Sequence, residues 1–226
     1  MRDDPGRDLS RAVARARAIL AAGSVVARTD GRLRSFAPNS ITAAEGEALA
    51  GWVEREGAFA TVETGLGYGI SALFVCEALL AGGWRGARHV AIDPYQTTRC
   101  ASIGLQVVEE AGLGALLELH EEESELVLPR FVSEGRRFDL AVVDGNHRFE
   151  GVLLDLAYLG RLVRGGGIVF VDDLQLPAVE RAVRFCTANL GWTVEQESRD
   201  EPLHNWVALR TPETPVERRF DDYVDF

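Results

Sequence analysis

Lysine is absent from the chain: all 24 of its lysine-plus-arginine residues are arginine, so any general base must be some other side chain. Cysteine is scarce, with Cys76, Cys100 and Cys186 odd in number, widely spaced and set in apolar helical stretches. This argues against a disulfide framework and fits buried thiols in a reducing cytosol. The opening MRDDPGRDLS has no apolar signal region, and the apolar stretch from Gly69 to Ala81 is too short for a membrane span and contains Glu77. A soluble cytoplasmic protein with no membrane partner is the expectation. Positive charge is also in deficit, giving a formal net charge of −11 against the basic stripe that nucleic-acid binders gather. Small molecules are the expected partners.

What the chain does have is an ordinary globular composition, 46% hydrophobic and 26% charged over 226 residues, enough for one domain with a sizeable core. Leu9, Val13, Ala16, Ile19 and Leu20 recur at helical spacing and predict an amphipathic N-terminal helix over 9–22. Residues 1–40 read as a helical extension, a lid or dimer contact, ahead of a main domain over 41–226. The apolar face of that helix has three places open to it: within the subunit, against a second subunit in a homo-oligomer, or over the substrate. Thr42 followed by Glu45 reads as a capping box opening a helix to about Glu56.

From Ala58 onward short β-rich runs alternate with helical ones. AFATVET, RHVAIDP, LLELHEE, FDLAVVDG and GGIVFVDD read as strands, separated by helices over 69–82, 98–111 and 149–163. A further helix over 177–190 precedes WTVEQES and HNWVALRT, a closing strand pair. This rhythm predicts an α/β fold: a Rossmann-like, doubly wound, mostly parallel sheet with helices on both faces and a closing antiparallel pair.

Chemistry collects at the strand ends. Glu63, Thr64, Gly65, Leu66, Gly67, Tyr68 and Gly69 form a glycine-rich turn from strand to helix, where glycine allows a tight turn and close backbone approach to a ligand. Its spacing differs from the dinucleotide pattern Gly-x-Gly-x-x-Gly, and an acid stands two residues before the first glycine, which favours S-adenosylmethionine over NAD. Asp93 ends the next strand, where a carboxylate can accept both ribose hydroxyls or serve as a turn residue before Pro94. Glu123 and Ser124, after the third strand, either border the adenine or form a solvated turn. Asp144, Gly145, Asn146 and His147 follow the fourth strand, and Asp172 and Asp173 the fifth. Adjacent parallel strands would bring these carboxylates together beyond the sheet, beside Gly67 and Asp93. Three acids there would resist ionisation unless a hard cation such as Mg²⁺ compensates them, or they are plain turn and cap residues.

ETGLGYG, AIDP, VVDGNH and VFVDD, in this order, resemble the Mg²⁺-dependent O-methyltransferases of the catechol O-methyltransferase type. DGNHRFEGVLLDL followed by GGGIVFVDD is more similar to the bacterial macrolide-sugar O-methyltransferases. The resemblance covers about residues 58–190. It implies that Asp144, Asp172 and Asp173 hold a divalent metal, with Asp144 also at the cofactor, and that Glu63, Gly65, Gly67, Tyr68, Gly69 and Asp93 bind S-adenosylmethionine. Catechol-type enzymes carry lysine three residues after the first metal aspartate; here His147 stands there, and histidine titrates near neutrality, so it can serve as the base. Where they usually carry asparagine as the third ligand, this chain has Asp173. The implied reaction is methyl transfer to a hydroxyl of a vicinal diol, such as a natural-product sugar, or of a catechol. The arginine-only, alanine- and glycine-rich composition is compatible with specialised bacterial metabolism. A metal-independent methyltransferase, an NAD-dependent oxidoreductase and a non-catalytic S-adenosylmethionine-binding subunit are the competing readings. Contacts to the acceptor are expected from the N-terminal extension and the loops near Tyr95, Leu176 and His204.

Overall fold

The computed structural model describes residues 5–84, 86–199 and 203–226, with side chains from residue 9 onward. The first four residues of the expected N-terminal extension lie outside the described residues. In chain order the elements are α1 (Pro5–Ala22), β1 (Ser24–Val26), β2 (Leu33–Ser35), α2 (Ala43–Arg55), β3 (Ala60–Thr64), α3 (Ile70–Ala81), β4 (Arg88–Ile92) and α4 (Ile103–Glu110). They continue through β5 (Leu117–His120), α5 (Ser124–Ser133), β6 (Phe138–Val143), α6 (Phe149–Leu162), β7 (Val163–Val171), α7 (Pro177–Asn189), β8 (Thr193–Ser198) and β9 (Trp206–Arg210). Seven strands form one sheet in the order β5-β4-β3-β6-β7-β9-β8. The parallel strands are closed by the antiparallel pair β8 and β9, giving the Rossmann-like α/β architecture expected from the alternation of runs. The chain divides into two compact units, Met1–Phe59 with Leu66–Glu121 and Ala60–Gly65 with Glu122–Phe226.

In the first unit, β4 runs parallel to β5 with Ile92 opposite His120. α3 is apolar almost all round and nearly all of it is buried, which suits a helix covered on several sides. Its core takes in Ala12 and Ala16 of α1, with Ile19 and Leu20 packed partly buried against it, so the apolar face of α1 is covered within its own unit. Thr42 caps α2 by accepting a hydrogen bond from the Glu45 amide at 3.2 Å, the half of the capping box the sequence spells out. The short β1–β2 hairpin is tied down by Gln106 of α4. The Gln106 carboxamide accepts from the Arg28 amide at 2.8 Å and donates to the Val26 carbonyl at 2.9 Å, standing in for a strand neighbour.

In the second unit, all five residues of β3 are buried, and β3 pairs in parallel with β6, as β6 does with β7. Between β3 and β6 the strand order reverses although two strands intervene in sequence, the kind of switch point where open α/β sheets bind ligands. Phe138, Leu140, Leu156 and Phe170 are fully buried, and Trp206 stacks on Phe170 with ring centroids 4.8 Å apart. The C-terminal tail folds back on α7: the Asn189 side chain accepts from the Val224 amide at 2.8 Å and donates to its carbonyl at 3.1 Å, while Tyr223 and Phe226 pack on Phe185.

α6 carries a charge into this unit that the sequence does not advertise. Asp155 is 1% exposed, and burial pushes its carboxyl up to about 6 despite the Ser124 and Thr64 hydroxyls beside it, which favour the charged form. Because the folded carboxyl holds its proton to higher pH than the unfolded one, the folded state binds more protons between about pH 4 and 6. Stability from this group is present below pH 4 and is lost as pH rises through 6. Asp155→Asn is therefore expected to flatten the decline in melting temperature between pH 4 and 6 and to leave the protein at least as stable at pH 7. An unchanged pH profile, measured by thermal unfolding, would show that the carboxyl is not buried in its charged form.

Candidate active site

Backbone pairing continues past the ends of the parallel strands and carries the acids with it. The Asp144 amide donates to the Thr64 carbonyl at 2.9 Å, and the Asp172 amide donates to the Val143 carbonyl at 3.0 Å. The carboxyl ends of β3, β6 and β7 are thereby held in step, and Asp144, Asp172 and Asp173 leave neighbouring strands at the same edge, as the sequence predicts. Gly65 is what lets β3 and β6 come so close. Its φ is +90°, and a Cβ there would collide with the Asp144 carbonyl oxygen. Glu63, two residues back, is fully buried at the end of β3.

Three donors converge at that edge. One atom each from Asp144, His147 and Asp173 lies within 4.8 Å of the others. His147 Nε2 is 3.0 Å from Asp173 Oδ2 and 3.6 Å from Asp144 Oδ1. Asn146 shapes the turn that brings the histidine back, its side chain accepting from the Arg148 amide at 3.1 Å. Asp172, expected as a ligand, is placed differently: its Oδ1 accepts from the Asp173 amide at 2.6 Å, and it stands outside this group of three. Asp173 itself adopts a left-handed backbone, φ +58°, and its other oxygen accepts from Gln175 Nε2.

The electrostatics are those of crowded negative charge. Burial pushes the Asp144 carboxyl up to about 6, with the Asp173 and Glu63 charges adding to the rise and His147 opposing it. His147 is raised above its ordinary value, by its contact with Asp144 first and then by the Asp173 and Asp172 charges. In the protein alone the acids around it therefore favour the charged form of the His147 ring, whose positive charge offsets theirs. A hard divalent cation fits the same need, since two carboxylates with a nearby imidazole offer it oxygen donors and an unsatisfied negative potential.

The glycine-rich turn and Asp93 form their own constellation in the first unit. Asp93 is 5% exposed, and its Oδ2 accepts from the Leu66 amide at 3.2 Å, the Gly67 amide at 2.9 Å and Gln96 Nε2 at 2.8 Å, while Oδ1 accepts from the Tyr95 amide at 2.8 Å. Gln96, absent from the sequence reading, is fully buried and also donates to the Gly67 carbonyl at 2.8 Å, so it stitches the acid and the turn together. A glutamine three residues past a strand-end acid carries no motif, and only the fold shows its role. Gly69 is constrained by packing, because a Cβ there would come within 2.9 Å of Gly104 Cα. Gly67 is different. Its φ is +51°, yet a Cβ would meet nothing within 4 Å, so the turn leaves open space at this one glycine where a ligand can approach the backbone. Tyr68 packs near Phe36, ring centroids 6.4 Å apart. Glu123 caps α5 and Ser124 is its first residue, with its hydroxyl beside Asp155, so both stand at a helix start instead of in a free turn.

A family model described as a methyltransferase domain matches residues 62–174, half of the chain. Comparison with curated proteins gives no match. Among solved structures, the chain is similar to the O-methyltransferase from Bacillus cereus in complex with SAH, at 16% identity, TM-score 0.66, and 93% and 92% coverage of this chain and that one. It is equally similar to the O-methyltransferase TomG from Streptomyces achromogenes, involved in tomaymycin synthesis and solved with SAM, at 19% identity, TM-score 0.66, and 94% and 92% coverage. At these identities the likeness is one of fold. The matched segment runs from the end of β3 to just past Asp173 and so contains the glycine-rich turn, Asp93 and the acidic strand ends; the chain belongs to the methyltransferase-domain family.

Proposed function

We propose that the protein is a metal-dependent O-methyltransferase that uses S-adenosylmethionine to methylate a hydroxyl of a small-molecule vicinal diol, such as a natural-product sugar, or of a catechol. The observation that carries this reading is the convergence of Asp144, His147 and Asp173 donor atoms within 4.8 Å in a chain of the methyltransferase-domain family. The fold-level likeness to O-methyltransferases solved with SAM and SAH supports the choice of cofactor.

S-adenosylmethionine, when bound, supplies a methyl group made electrophilic by its sulfonium. In this reading the turn from Gly65 to Gly69 would take the cofactor against its backbone at Gly67, Asp93 would fix the turn and accept from the ribose hydroxyls, and Glu63 would serve the amino-acid end. Glu123 and Ser124 border the adenine. Asp144 and Asp173, with Asp172 beside them, would hold a Mg²⁺ ion or another hard divalent cation, which when bound would supply Lewis acidity to an acceptor hydroxyl. His147 would act as the base, its Nε2 taking the proton of the acceptor hydroxyl. The protein's remaining contribution is to hold the two reactants at near-attack distance. A metal-independent methyltransferase is the second reading, favoured by the 3.0 Å contact in which His147 already compensates Asp173.

Removal of divalent cations with EDTA is expected to abolish turnover of diol or catechol acceptors, and added Mg²⁺ to restore it. His147→Ala is expected to lower kcat by about 10²-fold or more while S-adenosylmethionine affinity, measured by calorimetry, stays nearly unchanged. Full activity in EDTA would select the metal-independent reading, and full activity of the His147 variant would remove the base.

The two kinds of glycine separate cleanly by substitution. Gly65→Ala is expected to prevent folding or destabilise severely, because its Cβ strikes backbone. Gly67→Ala is expected to fold with a loss on the order of 1 kcal/mol from its left-handed backbone and yet to lose about ten-fold or more in S-adenosylmethionine affinity. Normal cofactor binding by a folded Gly67→Ala protein would place the cofactor elsewhere.

A further inference from the structure

The donors around Asp93 are unevenly shared between its two oxygens. Among the described residues Oδ2 takes three, the Leu66 and Gly67 amides and Gln96 Nε2, whereas Oδ1 takes only the Tyr95 amide. A carboxylate oxygen has two lone pairs, so Oδ2 is fully committed and Oδ1 keeps accepting capacity. The second hydrogen of Gln96 Nε2 goes to the Gly67 carbonyl at 2.8 Å. Gly67 is therefore held at both ends, its amide by Asp93 and its carbonyl by Gln96, in the left-handed conformation that leaves open space beside it.

Gln96 is fully buried, and its Oε1 has no hydrogen-bond partner. Turning the carboxamide over would set that oxygen against two acceptors, so the nitrogen must face Asp93 and Gly67. Native structures retain few orphaned buried acceptors, and this one accompanies a nitrogen that gives both of its hydrogens to the acid and the turn. The backbone around the carboxamide is shaped to match. Ala101 and Ser102 are both left-handed, φ +52° and +57°, and the Ser102 amide donates to the Gln96 carbonyl at 2.6 Å. Gly104 then passes so close that a Cβ would stand 2.8 Å from Gln96 Oε1 and 2.9 Å from the Gly67 carbonyl oxygen, so glycine is what leaves the carboxamide its room.

We infer that Gln96 is a positioning residue for recognition of the cofactor's ribose. By saturating Asp93 Oδ2 and pinning the Gly67 carbonyl, it fixes the acid with accepting capacity left for a ribose hydroxyl, and so sets how strongly the site selects for that hydroxyl. The inference rests on the functional reading above, in which Asp93 accepts from the ribose, and it gives a role there to a side chain that acts through Asp93 and Gly67.

The test is isothermal titration calorimetry of the full-length protein with S-adenosylhomocysteine and with its 2′-deoxy and 3′-deoxy analogues. The wild type is expected to bind S-adenosylhomocysteine about ten-fold more tightly than the weaker of the two analogues, the scale of one hydrogen bond to a charged acceptor. In Gln96→Met, which keeps the length and loses the donors, that preference should fall to about two-fold or less, and adding Gln96→Met to Asp93→Asn should change the preference of the single Asp93 variant no further. Gln106→Met is the control, because Gln106 is a second buried glutamine of the same unit that ties down the β1–β2 hairpin, and its loss should leave the wild-type preference in place. Gln96→Asn, which keeps the amide but is too short to reach both partners, takes the place of Gln96→Met should that variant fail to fold. A preference that survives in the Gln96 variants, with all three ligands weakened alike, would make the side chain merely structural and overturn the role; so would a wild type that binds all three equally. Wild-type protein that binds none of the three would instead remove the functional reading beneath it.

Discussion

The candidate catalytic edge depends on backbone hydrogen bonds that extend the sheet one residue beyond its strands. Asp144 is fixed by its amide to Thr64, and Asp172 by its amide to Val143, so the positions of the acids are set by main chain rather than by side-chain preference. That arrangement forces carboxylates together. Left alone they would exclude one another's charge, and burial makes this worse, as the elevated Asp144 carboxyl shows. Every other feature of the edge answers to this crowding: the imidazole of His147 between Asp144 and Asp173, the Asp173 amide on Asp172, and Gln175 on the second oxygen of Asp173.

Histidine suits this position for a chemical reason. A lysine held among carboxylates is stabilised as a cation far above neutrality and needs heavy tuning before it can accept a proton. An imidazole starts near neutral pH, so modest changes in its surroundings move it across the useful range. In a chain whose basic residues are otherwise all arginine, only histidine offers that behaviour. In this structure the ring stands between the two acids, 3.0 Å from Asp173 Oδ2 and 3.6 Å from Asp144 Oδ1, where its charged form offsets theirs.

Much of this was legible before any coordinates. The apolar runs of β3, β6 and β7 had to be buried strands, and their terminal acids had to share an edge if the strands were parallel neighbours. Thr42 and Glu45 announced the start of α2. What stayed hidden lacked periodicity or motif. β1 and β2 are three residues each, too short to alternate visibly. α5 contains Pro129, which interrupts the helical pattern, and Glu123 and Ser124 turn out to open that helix. α4 was expected from residue 98 but begins at Ile103, because Ala101 and Ser102 have positive φ and cannot join a right-handed helix. Gln96 and Asp155 act through tertiary contacts to residues distant in sequence, and a single polar residue in an apolar helix or loop gives no sign of that.

The division of labour between strand and loop follows from the same physics. Groups whose relative position must not drift, the acids and the glycine turn, are placed by backbone pairing and by an aspartate that spends its lone pairs on main-chain amides. Satisfied polar groups confer rigidity. Gln175 adds a side-chain link to that frame: it donates to Asp173 Oδ1 while its own Oε1 accepts from the Asn205 amide, so the acid that follows β7 is tied to the return of the chain into β9 and cannot shift without disturbing it.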